Sequence, residues 1–281
     1  MFQVLERFEM GDELIHLSET MYLEPTNLKQ EQDKRIRALG AAYFEKSDSP
    51  QLLAQLVELQ GRLVQAQNEQ TEAQNEAAKK AKEAKKPAAE IDKAKAAAGK
   101  KFNNRIKSLN NAVAELNAYA GLLVGTTETS KTLLGQVSGV AKDRLARLYL
   151  RAGDHEKAER LAGEAVESAK NEVIPLANQI DVLFRIGKEK EASEAFAKLR
   201  EISGDIDDLT HAPFQRLSEI ASAIDFPSDW RIERQLSHDV GMRPSLDSIG
   251  PLGYTPTSAP DWNLPNASGE SIGLKQFRGR P

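Results

Sequence analysis

The chain has 281 residues, 40% of them hydrophobic and 28% charged, and its mean hydropathy of -0.51 is that of a polar protein long enough for more than one domain. Its net charge of -4 and pI of about 5.8 provide no overall positive field for nucleic acid or anionic lipid. The lack of cysteine excludes disulfides, zinc–thiolate sites and a cysteine nucleophile within these residues.

Residues 1–50 read as repeat-like helices, the first part of a mainly α-helical fold. "FEMGDELIHLSETM" predicts a turn at Gly11 and a following helix, and "IRALGAAYFEKSDSPQLLAQLVEL" predicts a second pair with its turn near Ser47. The opening residues lack the basic region and the apolar run of a signal peptide. No apolar run reaches the roughly 18 residues of a membrane helix. The sequence predicts no membrane insertion and indicates no compartment. It opens without a helix cap, as a fragment would.

Residues 51–125 predict a long antiparallel coiled-coil hairpin. Its middle, "NEQTEAQNEAAKKAKEAKKPAAEIDKAKAAAGKK", is rich in Ala, Lys and Glu and is interrupted by Pro87. Apolar residues spaced alternately three and four apart flank it, as in the seam of a coiled coil. They are Leu52, Leu56, Leu59, Leu63 and Ala66 before it, and Phe102, Ile106, Leu109, Val113, Leu116, Ala120 and Leu123 after it. The alternative is a solvated, partly disordered charge run. Glutamates interleave the lysines and no aromatic residue lies nearby, so we expect no nucleic-acid binding.

The segment "GTTETSKT", from Gly125 to Thr132, nearly matches the phosphate-binding loop G-x-x-x-x-G-K-[ST], with Ser130 in place of the second glycine. Such a loop joins a strand to a helix, whereas a heptad helix precedes this segment. We therefore interpret it as a loop whose Thr or Ser caps the helix "KTLLGQVSGVAKD". The nucleotide-binding alternative requires Lys131 to bind ATP.

Residues 126–226 contain two helical pairs with the same internal spacing. Gly153 and Gly187 are 34 residues apart (187 − 153), and so are Ala158 and Ala192 (192 − 158). The glycines suit left-handed helix ends, and the alanines suit close approach of two helices. Residues 141–204 resemble the tetratricopeptide repeat, whose period is 34 residues, although the Trp of the first helix and the closing Pro are missing. The resemblance implies a surface for a protein or peptide partner.

Residues 227–281 no longer follow the helical pattern of the preceding sequence. Residues 227–257 form a proline-rich connector that Trp230, Ile249, Leu252 and Tyr254 can pin to a neighbouring surface. In residues 258–281, "DWNLP" and "ESIGL" alternate as strands do, and "NASG" between them provides a turn with Gly269 at positive φ. These segments predict a β-hairpin, which at this size is stable only as part of a larger sheet.

The tail "APDWNLPNASGESIGLKQFRGRP" resembles the start of the redoxin domain, the alkyl hydroperoxide reductase/thiol-specific antioxidant branch of the thioredoxin fold. The matching residues are Ala259, Pro260, Asp261, Trp262, Leu264, Gly269, Leu274, Phe277, Arg278, Gly279, Arg280 and Pro281. In the family a buried strand follows, and then the catalytic cysteine at a helix start, where its pKa is lowered. The resemblance implies a truncated domain without its nucleophile.

The sequence therefore predicts a fragment of a thiol-dependent peroxidase or oxidoreductase, catalytically silent as given, whose helical repeats serve as an interaction scaffold. The alternative is a non-enzymatic repeat scaffold or adaptor. We identify no catalytic, cofactor-binding or metal-binding residues. The four histidines, His16, His155, His211 and His238, have no metal-ligand spacing. The coiled-coil seam is compatible with pairing within one chain or between two, so a homo-oligomer is possible.

Overall fold

The computed structural model describes residues 2–205, 207–232, 263–266 and 268–273. The chain divides into two units, residues 1–234 and 235–281, and each is described by itself. The described part is mainly α-helical, as predicted, with one small antiparallel sheet. Its helices are α1 (Phe2–Arg7), α2 (Gly11–Ser18), α3 (Lys29–Glu45), α4 (Ser49–Glu83), α5 (Ala88–Val124), α6 (Thr127–Leu134), α7 (Lys142–Arg151), α8 (His155–Ser168), α9 (Val173–Arg185), α10 (Glu189–Ser203) and α11 (Ala212–Ala223). Among these helices, none combines the length and apolar character needed to cross a membrane.

Helices α4 and α5 form a long antiparallel hairpin. Asp48 caps α4 by accepting a hydrogen bond from the Gln51 amide, as a short acidic side chain at a helix start does. The heptad leucines and alanines of α4 and the leucines of α5 fill the seam between the helices. Its fully buried members are Leu52, Leu56, Leu59, Ala66, Leu109 and Leu116. The hydrophobic seam therefore holds together the inner half of the hairpin, next to the rest of the helical unit.

The outer half of the hairpin has little apolar surface to bury. Only the small side chain of Ala81 and the backbone of Gly99 are buried near the tip. The Gln70 amide bridges the helices by donating to the Gly99 carbonyl at 2.9 Å and to Asn103 at 2.8 Å. Pro87 stands directly before α5, where its missing N–H costs nothing. This half is therefore held by backbone helicity and a few polar contacts.

The two helical pairs α7–α8 and α9–α10 repeat the same local structure. Gly153 and Gly187 have φ of +75° and +84° and end α7 and α9, as the 34-residue spacing predicts. At each turn the residue after the glycine donates its N–H to a carbonyl five residues earlier, which is the Schellman arrangement. Ala158 and Ala192 are fully buried. Small residues at these places let α8 and α10 approach their partner helices closely.

The turn near the start of the chain differs from the prediction. Gly11 is the first residue of α2, and the left-handed residue is Glu9, with φ of 55°. The Met10 amide donates to the Leu5 carbonyl at 2.8 Å, which completes a Schellman turn around Glu9. A non-glycine residue in this conformation costs roughly 1–2 kcal/mol, so other contacts must hold Glu9 there. Ser47 also has positive φ, at 57°, as the turn near it predicts.

The end of the helical unit is pinned by aromatic side chains. Trp230 is fully buried and meets the Phe196 ring edge-on, with centroids 5.4 Å apart. Arg200 Nε donates to the Trp230 carbonyl at 2.6 Å. This arrangement agrees with the predicted pinning by Trp230. The other predicted anchors, Ile249, Leu252 and Tyr254, lie outside the described residues.

The second unit contributes a β-hairpin among its described residues. Strands β1 (Asn263–Pro265) and β2 (Ser271–Gly273) pair antiparallel with Leu264 opposite Ile272. Gly269 has φ of +81°, as predicted for the turn. Leu264 is 61% exposed. Of the redoxin-like residues, only Leu264 and Gly269 are described.

Candidate functional site

The odd-numbered helices carry a connected network of charged side chains. These residues are far apart in sequence, and each lies on an odd-numbered helix or directly after one. We call this network the inner face. Its members are Glu6, Glu9, Arg37, Glu45, Glu115, Tyr119, Asp143, Arg144, Arg147, Asn178, Asp181 and Arg216. Buried charges require partners, and here each helix supplies partners for the others.

Glu115 on α5 forms the most deeply buried part of the inner face. Its side chain is 1% exposed and accepts hydrogen bonds from Arg37 Nε at 2.8 Å and Arg37 Nη2 at 2.7 Å. The Tyr119 hydroxyl donates to the same carboxylate at 2.7 Å. Burial alone raises the pKa of Glu115, but the ion pair with Arg37 outweighs it, so the pKa is lowered. Glu115 is therefore ionised, and Arg37 is fixed between α3 and α5.

Glu9 joins the beginning of the helical unit to its end. It accepts hydrogen bonds from Arg147 Nη1 of α7 at 2.5 Å and from Arg216 Nη1 of α11 at 2.6 Å. Burial raises the pKa of Glu9, and the two arginines outweigh this effect and lower it. Asp181 lies 3.7 Å from each arginine. These contacts explain how Glu9 keeps its left-handed backbone.

Arg144 differs from the other arginines of the inner face. Its guanidinium lies 3.8 Å from Glu6 and 3.6 Å from Glu45, distances too long for hydrogen bonds. Its Nε is buried without a hydrogen-bond partner, and no described residue accepts from its other nitrogens. Burial opposes its charge, yet Tyr119, Glu45 and Glu115 more than offset this, so its pKa is raised. Arg144 is thus a permanent cation with unused donors.

Two cavities open along the inner face. Arg144 lines one of about 500 Å³. Its other charged lining residues are the cations Arg7, Lys34 and Arg37 and the carboxylates Glu6, Glu9, Glu31 and Asp143. The other cavity, of about 660 Å³, shares Lys34 and Arg37 and extends to Arg105 of α5. Both cavities therefore present cations next to carboxylates, and of these cations Arg144 has hydrogen-bond donors left for an added carboxylate or other oxyanion.

The residues singled out from the sequence lie apart from this face. Lys131 donates to Glu128 within α6, and a helix rather than a strand precedes the loop that contains it. Helix α6 begins at Thr127, earlier than predicted, and the Thr126 hydroxyl donates to the Gly121 carbonyl instead of capping it. The local geometry is therefore not that of a phosphate-binding loop. No cluster suited to a metal ion occurs in the described part of the chain.

Sequence reasoning missed the inner face, although one signal for it was present. The 34-residue period places Arg144 at the position of Asn178 and Arg147 at the position of Asp181. Arg147 and Asp181 do meet, at 3.7 Å. Polar residues at equivalent positions of α7 and α9, the first helices of the two pairs, thus indicate that these helices contribute to one surface. Glu9 and Arg216, separated by 207 residues, have no comparable signal.

No family model, curated protein or solved structure matches this chain.

Proposed function

We propose that the helical unit is a protein-interaction scaffold whose inner face binds an acidic segment of a partner protein. The observation that carries this proposal is Arg144, a buried cation with unused hydrogen-bond donors at a cavity of about 500 Å³. A guanidinium presents donors in a fixed fork that matches a carboxylate. A partner carboxylate in this cavity would supply the acceptors that the described residues do not.

The 34-residue spacing supports a tetratricopeptide-like arrangement for α7 to α10. Stacked helical pairs present extended surfaces, and the first helices of successive pairs line one face. The inner face has this composition, because α7 and α9 contribute Arg144, Arg147, Asn178 and Asp181 to it. We propose that the partner contacts these first helices.

Peptide binding to the full chain tests the scaffold proposal. A fluorescein-labelled helical peptide with two glutamates should bind saturably, and its glutamine version should not. Arg144→Gln should weaken binding at least about tenfold, because a charge-assisted hydrogen bond is lost. Lys198→Gln, an exposed cation on α10, is the matched control and should leave binding unchanged. Equal binding by the Arg144→Gln variant would remove the basis of the proposal.

The exposed side of α4 supports self-association as a further property of this scaffold. Leu53, Val57 and Val64 are 48%, 66% and 55% exposed and lie on one side of the helix. A Cβ added at the neighbouring Gly61 meets nothing within 4 Å. We propose that two copies pair along this stripe. Light scattering should show a dimer that Val57→Lys converts to a monomer, and a monomeric wild-type chain would contradict this proposal.

We also propose that residues 258–281 begin a redoxin domain, so that the scaffold belongs to a thiol-dependent peroxidase or oxidoreductase. The match in order of residue types from Ala259 to Pro281 supports this, as does a turn at Gly269 between two paired strands. The chain has no cysteine, so a nucleophile has to lie outside these residues. The scaffold would then bring a protein partner close to the thiol.

Sequencing the encoding DNA beyond the codon of Pro281 tests the redoxin proposal. We expect an apolar strand followed by a cysteine at a helix start, and peroxide reduction by the extended protein with a thiol donor. A stop codon directly after Pro281 would favour the alternative, a non-enzymatic scaffold or adaptor. The 281-residue chain serves as the inactive control.

A further inference from the structure

The first nine described residues contact the rest of the helical unit through a few apolar side chains and several charged ones. In the segment from Phe2 to Met10, which we call the N-terminal segment, Leu5 is the single buried side chain. Val4 is 57% exposed and Phe8 is 38% exposed. Helix α1 has only six residues, and isolated helices this short are unstable in water. Its position therefore depends on contacts with the rest of the unit, both the packing of Leu5 and Phe2 and the pairs that its charged side chains form.

Those contacts reach four separate elements. Glu6 accepts from Arg37 Nη1 of α3 at 2.6 Å, and Arg7 donates to Asp143 of α7 at 3.2 Å. Arg7 also pairs with Glu172, directly before α9, at 2.6 Å. Glu9 completes the set through Arg147 and Arg216, as described above. The segment thus lies against the inner face as a bound acidic peptide would.

Removing this segment would leave some, but not all, cations on the rest of the inner face without their hydrogen-bond partners. Without it, Arg37 keeps its two hydrogen bonds to Glu115. Arg147 would keep only Asp181, at 3.7 Å, and Arg216 would keep Asp181 at 3.7 Å and its hydrogen bond to Asn178 at 3.1 Å. Together with Arg144, these arginines would then present unused donors on α7 and α11, which both pack against α9. Such an arrangement binds two carboxylates rather than one.

The backbone of the segment shows which ligand shape fits. Glu6 lies in the last turn of α1, and Glu9 is the left-handed residue that follows the helix. The Schellman turn therefore directs carboxylates three residues apart to different arginines, Glu6 to Arg37 and Glu9 to Arg147 and Arg216. A ligand needs a helix end with this spacing of acids.

We propose that the N-terminal segment is an intramolecular ligand of the rest of the inner face, and that the partner displaces it with an acidic helix end carrying two carboxylates three residues apart. This inference rests on the proposed scaffold function. A tethered ligand competes at an effective concentration in the millimolar range, so it weakens binding of a partner without abolishing it. The scaffold is thereby selective for partners that present both carboxylates.

A competition experiment on the full 281-residue chain tests the inference. The probe is a fluorescein-labelled peptide with the sequence FQVLERFEM, residues 2–10, amidated at its C-terminus. We expect the Glu6→Gln/Glu9→Gln variant to bind the probe at least about tenfold more tightly than the wild-type chain, because its own segment no longer competes. A probe with glutamine at both positions should not bind. Adding Arg216→Gln to the double variant should remove the gain.

The matched control carries Glu13→Gln and Glu24→Gln, which remove two exposed carboxylates close in sequence to the segment. It should bind the probe as the wild-type chain does. Circular dichroism of each variant confirms that it is folded. If the double variant does not fold, amide exchange on the wild-type chain replaces it: saturating probe should speed exchange at residues 2–10 and leave α7 and α9 protected.

Two results would overturn the inference, and they differ in meaning. Equal affinity of the wild-type chain and the double variant, or unchanged exchange at residues 2–10 when probe is bound, shows that the segment does not compete. The scaffold proposal survives that result. If neither this probe nor the two-glutamate peptide binds any variant, the inner face is not a carboxylate site and both proposals fail.

Discussion

The inner face and the outer half of the α4–α5 hairpin are both rich in charged residues, but the cations of the first are arginines and those of the second are lysines, and the structure uses them in opposite ways. On the inner face, Glu115 is 1% exposed and its partner Arg37 lies 78 positions away in sequence. In the hairpin, Glu76 and Lys80 are 65% and 71% exposed and one helical turn apart. Burial makes the first pair indispensable once formed, whereas water already satisfies the second.

Removing one carboxylate from each region should give the largest difference in stability between the two regions. Glu115→Gln leaves Arg37 buried with only Glu6 as an ion-pair partner, and we expect it to lower the free energy of unfolding by about 3–5 kcal/mol. Glu76→Gln is the matched control in the hairpin and should leave the midpoint of urea unfolding unchanged within error. Comparable losses in both variants would contradict the distinction.

Lowering the pH should reproduce part of the loss of stability that we expect for Glu115→Gln. The pKa values of Glu9 and Glu115 are lowered from an ordinary value of 4.5, so folding favours their ionised forms. Their contribution to stability is complete well above pH 4.5 and is lost as the pH falls through the lowered values of the folded state. Urea unfolding between pH 7 and pH 3 should show this loss in the wild-type chain.

The Glu115→Gln variant provides the control for the acid experiment, because its stability should fall less steeply over the same range.

Urea unfolding at increasing salt concentration distinguishes the two regions further. Added salt screens exposed pairs such as Glu76–Lys80 more than buried ones. A loss of stability in acid that disappears completely in high salt would assign the effect to surface charges instead of the inner face.

Two glycine-to-alanine substitutions should change the free energy of unfolding least, and we expect one to lower it and the other to raise it. A Cβ at Gly40 of α3 would lie 2.4 Å from Leu116 Cδ1, so Gly40→Ala should destabilise the fold by about 1–3 kcal/mol through overpacking. At Gly61 of α4 the added Cβ meets open space, and Gly61→Ala should stabilise by about 0.5–1 kcal/mol. Thermal unfolding measures both, and stabilisation by Gly40→Ala would show that α3 and α5 have room to separate.

The sequence predicts most of the helices for identifiable reasons. The apolar seam of α4 and α5 follows a heptad, and the turns at Gly153 and Gly187 require left-handed residues. The sequence predicts the first turn at Gly11, since glycine adopts positive φ most easily. Glu9 adopts it instead because Arg147 and Arg216 hold its side chain, and no local pattern contains that information.

The candidate site was not predicted because it depends on which helices become neighbours. Arginine and glutamate also occur on exposed helix faces, so neither Arg37 nor Glu115 stands out in the sequence. Only the repeat offset between Arg147 and Asp181 hints at their contact. Pairs of side chains that meet only because several helices stack can be identified only from the tertiary structure.

The contact of Glu9 with Arg216 has a consequence for how the helical unit folds. A stack of helical pairs that touch only their neighbours can lose structure from either end, one pair at a time. Here residues 207 positions apart are joined, so α1 and α11 lose a shared contact if either end frays. Closing so long a loop is entropically slow. We therefore expect this junction to form late in folding and to make unfolding of the two ends cooperative.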